Sequence, residues 1–381
     1  MGIAPILQYH YNISFADEPV ISDSIKLLTT IYVITAIVFY NTIYFFTYSK
    51  FSIRKLTKIF NDYIPDNSFY NFTLFSKTAL IGLSILSFFM IFKVNNFNIL
   101  SMLFRGGIFA EVIEIETSSL LLIDKFFRPL SLSLFIISFY YNRKSWFINS
   151  VLFILFVITA FPLGMARNAA AGFYLPLVLI FVPIFKRKHF FVSSLIFGLL
   201  VIFPFLDNFR RFNDFSELEF SFDFHIFTDL HFDAYSSFVR AINYETITYG
   251  NQLLGVLLFF VPRSIWPTKP IGSGALQAHQ IGMTWDNISC TYFAEGYINF
   301  GLVGVFLFVL FIAYFTAIFD KAYWRLKENK SFINIIYILS IGMFLFILRG
   351  DLLSSYAYTF GLIFTSILTF KLFNLKFMKS K

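Results

Sequence analysis

The sequence predicts an all-α, polytopic integral membrane protein with about nine to eleven transmembrane helices and one long external loop region. Three observations predict it. Of 381 residues, 57% are hydrophobic and only 14% are charged, with a mean hydropathy of +0.71. A soluble domain is nearer a quarter charged, so too few polar side chains remain here to cover a water-facing surface. Apolar stretches long enough to cross a bilayer recur along the chain, and basic clusters fall in alternate gaps between them.

The stretches lie near 27–48, 74–94, 119–140, 146–165, 169–185, 190–206, 292–318, 332–348 and 352–372. A span needs about twenty residues, fewer at the short end. The basic clusters are Lys50/Arg54/Lys55/Lys58, Arg143/Lys144, Lys186/Arg187/Lys188, Lys321/Arg325/Lys327/Lys330 and Lys376/Lys379/Lys381. Cations stay on the cytoplasmic side of spans. The N-terminus is therefore expected outside and the C-terminus inside, with 207–291 as one long external segment of a single membrane domain, 1–381. The acids agree, because of 22 Asp and Glu only Asp62, Asp66, Asp320 and Glu328 fall in cytoplasmic gaps. Residues 108–123 read as a short extra helix, since Glu111, Glu114 and Glu116 make a poor lipid-facing span. Residues 251–262 are too short to cross, end at Pro262 and read as a re-entrant or interfacial helix. No internal repeat or low-complexity linker is evident.

The net charge of +8 would suggest nucleic acid in a soluble protein. Here it is largely topological, and no nucleic-acid partner is expected. The 57 phenylalanines read as genome bias, since Ile, Asn and Lys are abundant too. The single cysteine, Cys290, excludes an intrachain disulfide. No cleavable signal peptide is expected, because Asp17, Glu18 and Asp23 interrupt the first twenty-five residues.

External cations oppose the topology rule and need a reason. They are mostly arginines: Arg105, Arg167, Arg210, Arg211, Arg240, Arg263 and Arg349. The cytoplasmic clusters are mostly lysine, which supplies charge alone. Arginine adds a planar fork that binds phosphate or carboxylate bidentately. Any one of these arginines reads equally as the partner of an external acid; the set is better explained by an external anionic ligand.

Residues 225–301 hold the densest polar chemistry. A helix is expected to start at Thr228, capped by Thr228 or Asp229. Asp233 and Arg240, seven apart, share a helix face, as a salt-bridged face or as part of a site. Asp223, His225, Asp229, His231 and Asp233 have the residue types of metal ligands, but their spacing fits no metal signature, and no metal or cofactor is expected. The run FFVPRSIWPTKPIGSG (259–274) cannot be a regular helix, with three prolines and two glycines. It reads as a rigid, extended loop carrying Arg263, Trp266 and Lys269. Two cations and an indole beside an apolar helix suit a lipid-linked phosphate and a stacked sugar, or an interfacial anchor. In SCTYFAEGYINFGLVG (289–304), Glu295 reads as a general base or a packing carboxylate, and the glycines permit close helix approach. Cys290 reads as a small buried residue. In LRGDLLSSY (348–356), Arg349 and Asp351 flank a glycine and read as a self-paired turn or as part of the site.

The segments HFDAYSSF, TYGNQLLGVLLFFVPRSIWPTKPIGSG and NISCTYFAEGYINFGLVG resemble the oligosaccharide repeat-unit polymerases, the Wzy-type O-antigen polymerase family. The resemblance is close over about 230–304; the rest matches in hydropathy. Arg263 and Gly274, with ten residues between them, also resemble a pattern of external loops in such polymerases. The family implies transfer of a growing glycan from undecaprenyl diphosphate to the next lipid-linked repeat unit. The site would face outward from a bacterial inner membrane, in lipopolysaccharide or related polysaccharide biosynthesis. No nucleotide sugar is needed, which agrees with the lack of a dinucleotide fingerprint or P-loop. The resemblance implies diphosphate-binding cations (Arg263, Lys269, Arg240, Arg210, Arg211, Arg167, Arg349), a base among Asp233, Glu295 and His231, and a sugar-stacking Trp266. It further implies a chain-length regulator and a flippase as partners. Competing readings are an O-antigen ligase-like glycosyltransferase and a flippase or other transporter. An acyltransferase fits less well, because the only early histidine is His10.

Overall fold

The structure is a computed structural model, and it describes residues 3–11, 13, 21–52, 74–104, 117–187, 189–202, 227–228, 232–286, 288–326 and 332–377. These residues form helices and no strand. Six helices are long and apolar enough to cross a membrane: Asp23–Lys50, Leu74–Val94, Trp146–Gly164, Tyr292–Arg325, Phe332–Arg349 and Leu352–Leu372. The chain is a polytopic all-α membrane protein. The other three predicted spans are shorter or interrupted. Residues 117–141 run as Thr117–Leu122, a π-helical turn Ile123–Phe127 and Arg128–Tyr141. Arg167–Phe181 contains Pro176. Phe190–Phe197 continues in a π-helical turn to Ile202.

The helices are α1 (Ile3–His10), α2 (Asp23–Lys50), α3 (Leu74–Val94), α4 (Ile99–Leu103), α5 (Thr117–Leu122), α6 (Arg128–Tyr141), α7 (Trp146–Thr159), α8 (Arg167–Phe181) and α9 (Phe190–Phe197). Then follow α10 (Ala234–Asn243), α11 (Asn251–Leu257), α12 (Ser273–Gln280), α13 (Tyr292–Leu326), α14 (Phe332–Arg349) and α15 (Leu352–Phe377). One core joins α3, α6, α7, α8, α14 and α15 through Leu132, Phe156, Phe173, Met343 and Leu362. A second joins α2, α10 and α13 through Ala36, Phe238, Ala294 and Val309.

Several polar residues inside these spans bond locally, as an apolar surround favours. On α2, Thr30, Thr35 and Thr42 return hydrogen bonds to carbonyls one turn back, at 2.8–2.9 Å. At the far end of α2, Lys321 donates to the carbonyls of Tyr48, Ser49 and Phe51, which complements the negative helix terminus. Arg128 donates to Asp124 (2.7 Å) and to the carbonyls of Thr159 and Gly164, so the sparse charges of the 117–141 segment tie α6 to the end of α7. Gly172 of α8 faces Gly342 of α14, where a side chain on either would collide with its neighbours.

The decisive irregularity is in α13. Phe300 (φ −145°, ψ 25°) and Gly301 (φ 63°, ψ −150°) break it into a short first segment from Tyr292 and a long second one. Gly301 has a backbone that a side chain resists. Gly296 and Gly304 then meet so closely that neither has space for a Cβ. In an unbroken helix these residues would sit ~12 Å apart along the axis, so the chain folds back sharply here. The carbonyls freed at the break are taken up nearby. Thr248 N–H donates to Ile298 (2.7 Å), and Gly250 N–H donates to Asn299 (2.9 Å). The Asn299 side chain accepts from Leu253 N–H at 2.7 Å, holding the start of α11.

One end of the bundle gathers α1, the start of α2 and residues 232–299. Gln8 donates to Phe227 and Phe232, and Tyr235 donates to the carbonyl of Lys26. The α14–α15 turn lies at the same end. Lys50 and Lys321 lie at the other.

Candidate functional site

The predicted helix start at Thr228 is displaced. Helix α10 begins at Ala234, with Asp233 as the preceding residue, while 229–231 lie outside the described residues. Asp233 does not cap its own helix. Its carboxylate turns to Ser289, accepting from the hydroxyl and, at 3.3 Å, from the N–H. Arg349 Nη2 stands 3.9 Å from Asp233 Oδ1. Two turns along α10, Arg240 is only 1% exposed, and its charge is felt by both Asp233 and Cys290. Asp233 is also 1% exposed. Burial pushes its carboxyl above the usual range, against the pull of Ser289, Arg349 and Arg240.

Glu295 is wholly buried on the first turn of α13. It accepts from Ser273 Oγ at 2.7 Å and from Leu352 N–H at 2.8 Å. Asp351 accepts from the N–H groups of Gly274 (2.8 Å), Leu353 (2.9 Å) and Ser354 (3.3 Å). The two carboxylates therefore share the start of α15, where unpaired N–H groups and the helix dipole favour negative charge. Burial raises the Asp351 carboxyl, and its backbone hydrogen bonds oppose the shift. Gly272 and Gly274 are required by packing: a Cβ on the first would strike the Asp351 carboxylate, and on the second the Ile288 carbonyl. Gln277 donates to the Ser237 carbonyl (2.7 Å) and Thr291 N–H to Ser237 Oγ (3.2 Å), strapping α12 and the 288–291 segment onto α10.

The cluster thus draws on four separate stretches: 233–240, 273–277, 289–295 and 349–352. It holds two guanidinium groups, three carboxylates and the thiol of Cys290. Arg349, with its side chain 31% exposed, leads outward from the interior. Cys290 is fully buried, and burial followed by the Glu295 and Asp351 charges holds its thiol far from ionisation. Chemically the cluster can bind an anion at Arg349 and hold a carboxylate of raised proton affinity behind it.

Of the residues singled out in the sequence, Asp233, Arg240, Glu295 and Arg349 come together. Arg349 reaches Asp233 across the fold, and Asp351 holds backbone N–H groups, so the local turn is not the self-contained pair that proximity suggested. Arg263, Lys269 and Trp266 have other contacts. Arg263 is exposed and donates to the carbonyls of Lys269 (2.6 Å) and Pro270 (3.3 Å). Lys269 Nζ donates to the carbonyls of Phe259 (2.5 Å) and Val261 (3.0 Å), and its ammonium is pushed below the usual range by burial and by Arg263. Trp266 Nε1 donates to Thr268 Oγ1 at 3.1 Å. The loop is therefore a run of turns cross-linked by its own cations, not the extended strap expected; Ile265 and Trp266 both return N–H bonds to the Pro262 carbonyl. Its far end joins the cluster through Gly272, Ser273 and Gly274.

Arg167 is the first residue of α8, and its side chain lies outside the described residues. Arg105, Arg210, Arg211, His231, Asp223, His225 and Asp229 also lie outside them, as does most of 108–123. Among the described residues, no three His, Cys, Asp or Glu are placed to hold a metal ion. Gln277 stood out only as part of a polar stretch, and Ser273, Ser289 and Asn299 were not singled out in the sequence. Their only signal was a dense polar run beside apolar spans. No family model matches the chain, and neither a curated protein nor a solved structure matches it.

Proposed function

We propose that this protein is a membrane glycosyltransferase that polymerises lipid-linked oligosaccharide repeat units on the external face of a bacterial inner membrane. The observation that carries the reading is the buried cluster of Asp233, Glu295 and Asp351 with Arg240 and Arg349 at one end of an apolar helical bundle. Transfer of a glycan from undecaprenyl diphosphate needs two things. Cations must stabilise the departing diphosphate, and a base must take the acceptor's hydroxyl proton. In this reading Arg349, backed by Arg240, meets the diphosphate. The acceptor oxygen attacks the anomeric carbon, the bond from that carbon to the phosphate oxygen breaks, and Asp233 takes the proton. Glu295 positions the start of α15. Arg263, Lys269 and Trp266 present the loop to the lipid headgroup and sugar, with the exposed Arg263 as its cation. A flippase and a chain-length regulator are the partners this reaction calls for.

The test is direct. Purified protein in lipid nanodiscs is incubated with synthetic undecaprenyl-diphosphate repeat units, and products are resolved by length. A ladder of polymer with released undecaprenyl diphosphate supports the reading; intact substrate under all conditions defeats it.

A transporter of lipid-linked oligosaccharides is the second reading, and the broken helix α13 favours it, since interrupted spans line substrate paths in transporters. Substrate crossing sealed vesicles without change in glycan length would select it.

A further inference from the structure

The second segment of α13 and the facing side of α14 border a cavity of about 850 Å³, lined mostly by aliphatic and aromatic side chains. Ligand sites run from about 300 to 1,000 Å³. One end differs in chemistry, where Tyr40, Thr316, Asp320, Tyr337 and Ser340 bring hydroxyls and a carboxylate to the wall. Asp320 accepts from Tyr44 (2.6 Å) and Tyr337 (2.5 Å). Both rings are braced, Tyr44 by stacking between Tyr40 and Tyr48, and Tyr337 by stacking on Tyr323. A carboxylate has about four acceptor positions, so others stay open.

Among the described residues, no Lys, Arg or His stands within ion-pair distance of Asp320. Lys321, its neighbour in sequence, is turned instead to the carbonyls of Tyr48, Ser49 and Phe51. A carboxylate beside an apolar cavity is costly without a cation, and within a membrane span such a group is functional by default. Its depth suits a headgroup. Asp320 lies six residues before Leu326, the last of α13, and Tyr44 lies six before Lys50, the last of α2. That is ~9 Å from each helix end. Trp324 and Arg325 are exposed on the next turn, and Trp, Lys and Arg are the residue types of a membrane interface.

We infer that this end of the cavity binds the primary ammonium of a membrane lipid, an ethanolamine-type headgroup, with an acyl chain along the apolar wall. The charge complements Asp320. An ammonium also donates three hydrogen bonds, and acceptors stand ready beside the carboxylate. Thr316 gives its proton to the carbonyls of Ile312 and Ala313, so the Tyr40 hydroxyl, 2.9 Å away, donates to Thr316 and its own oxygen can accept. Ser340 donates to the Ile336 carbonyl, which leaves its oxygen to accept as well. Tyr40, Phe319 and Tyr337 bring aromatic rings to the same end, and ring faces attract cations. A choline headgroup has no proton to donate, and a glycerol headgroup has no cation. The chain enters from the bilayer, because Phe311 and Phe315 on the wall are 60% and 40% exposed. This site stands independently of the reaction proposed above.

The experiment uses the full-length protein in phosphatidylglycerol nanodiscs with a trace of phosphatidylethanolamine that carries a diazirine in one chain. Labelled residues are mapped by mass spectrometry. Label is expected on the cavity wall, among residues 307–319 and 337–344. Three unlabelled competitors with identical chains are then compared: phosphatidylethanolamine, phosphatidylcholine and N-acetylated phosphatidylethanolamine. The first should suppress the label at least about tenfold better than the other two, the scale of a hydrogen bond to a charged group. Asp320→Asn keeps the side-chain size and an acceptor for one tyrosine, and should bring the three competitors to one level. Equal competition in the wild-type protein would overturn the assignment and leave ordinary boundary lipid. A preference that survives in Asp320→Asn, or label confined to other surfaces, would overturn it too. The wild-type comparison needs no variant, so it decides even where Asp320→Asn does not fold.

Discussion

Arg349, at the end of α14, meets Asp233, at the start of α10, across 3.9 Å at the edge of a buried polar cluster. Neither residue has the other as a sequence neighbour. Their meeting orients a carboxylate of raised proton affinity toward the one guanidinium of the pair that leads outward.

Replacing Asp233 with Asn should lower polymer formation by at least about a hundredfold, because general-base contributions run about 10²–10⁴. The protein should still insert, since Asn keeps the size and one acceptor for Ser289. Arg349→Ala removes the cation from a buried carboxylate. A fully buried pair broken this way costs about 3–5 kcal/mol, and the 31% exposure of Arg349 lowers the expectation to about 1–3 kcal/mol. The double variant Asp233→Asn/Arg349→Ala should be more stable than Arg349→Ala alone. Thermal unfolding in detergent checks this, and additive losses would remove the pairing from the account.

Asp233 and Asp351 both have carboxyls raised by burial. A raised folded-state value means that the native protein holds its proton where the unfolded chain has lost it. Stability from these groups is full below the ordinary carboxylate range and is lost as pH rises through their raised values. Unfolding measured from acid to neutral pH should therefore show a loss that Asp351→Asn reduces, with Asn still able to accept at the start of α15. In the same pH series, the acid limb of polymer formation should sit above the ordinary carboxylate range. A limb at the usual carboxylate value would exclude Asp233 as the base.

Gly301, at φ 63° and ψ −150°, occupies backbone space that is almost confined to glycine. Gly301→Ala should cost about 1–3 kcal/mol. Gly304→Ala should be worse, because its Cβ would collide with the Gly296 carbonyl. Folded yield by size-exclusion fluorescence reads both. Wild-type yield of both variants would show that α13 runs unbroken.

Arg263 fastens its own loop, and lysine has no fork with which to reach two carbonyls. Both Arg263→Ala and Arg263→Lys should shorten the polymer and reduce its amount, at unchanged protein level. Polymer of ordinary length and amount from Arg263→Ala would reassign the loop as an interfacial anchor.

Orientation can be read with one engineered thiol, because the native Cys290 is buried and should not react. A cysteine at Tyr249, which is 86% exposed, should label with an impermeant maleimide from outside intact cells. Labelling only after the cytoplasmic face is opened would invert the proposed topology.

The sequence by itself was enough for the fold class. Long apolar runs in a chain this poor in charge admit one solution, because backbone groups in lipid must bond within their own helix. It also pointed to Asp233, Arg240, Glu295 and Arg349 as unusual polar residues beside apolar spans. It did not reveal their partners, because ion pairs and hydrogen bonds between distant segments leave no periodicity in a single chain. Arg349 lies one glycine from Asp351, and local spacing favours that pair; packing of α10 against α13 decides for Asp233 instead. The loop cations read as free ligands for phosphate, and only the fold shows them holding carbonyls. Nor does GYINFGLVG announce a reversal. Glycines at that spacing suit a helix crossing equally well, and only the neighbouring carbonyl acceptors, filled by Thr248 and Gly250, make the break in α13 the lower-energy path.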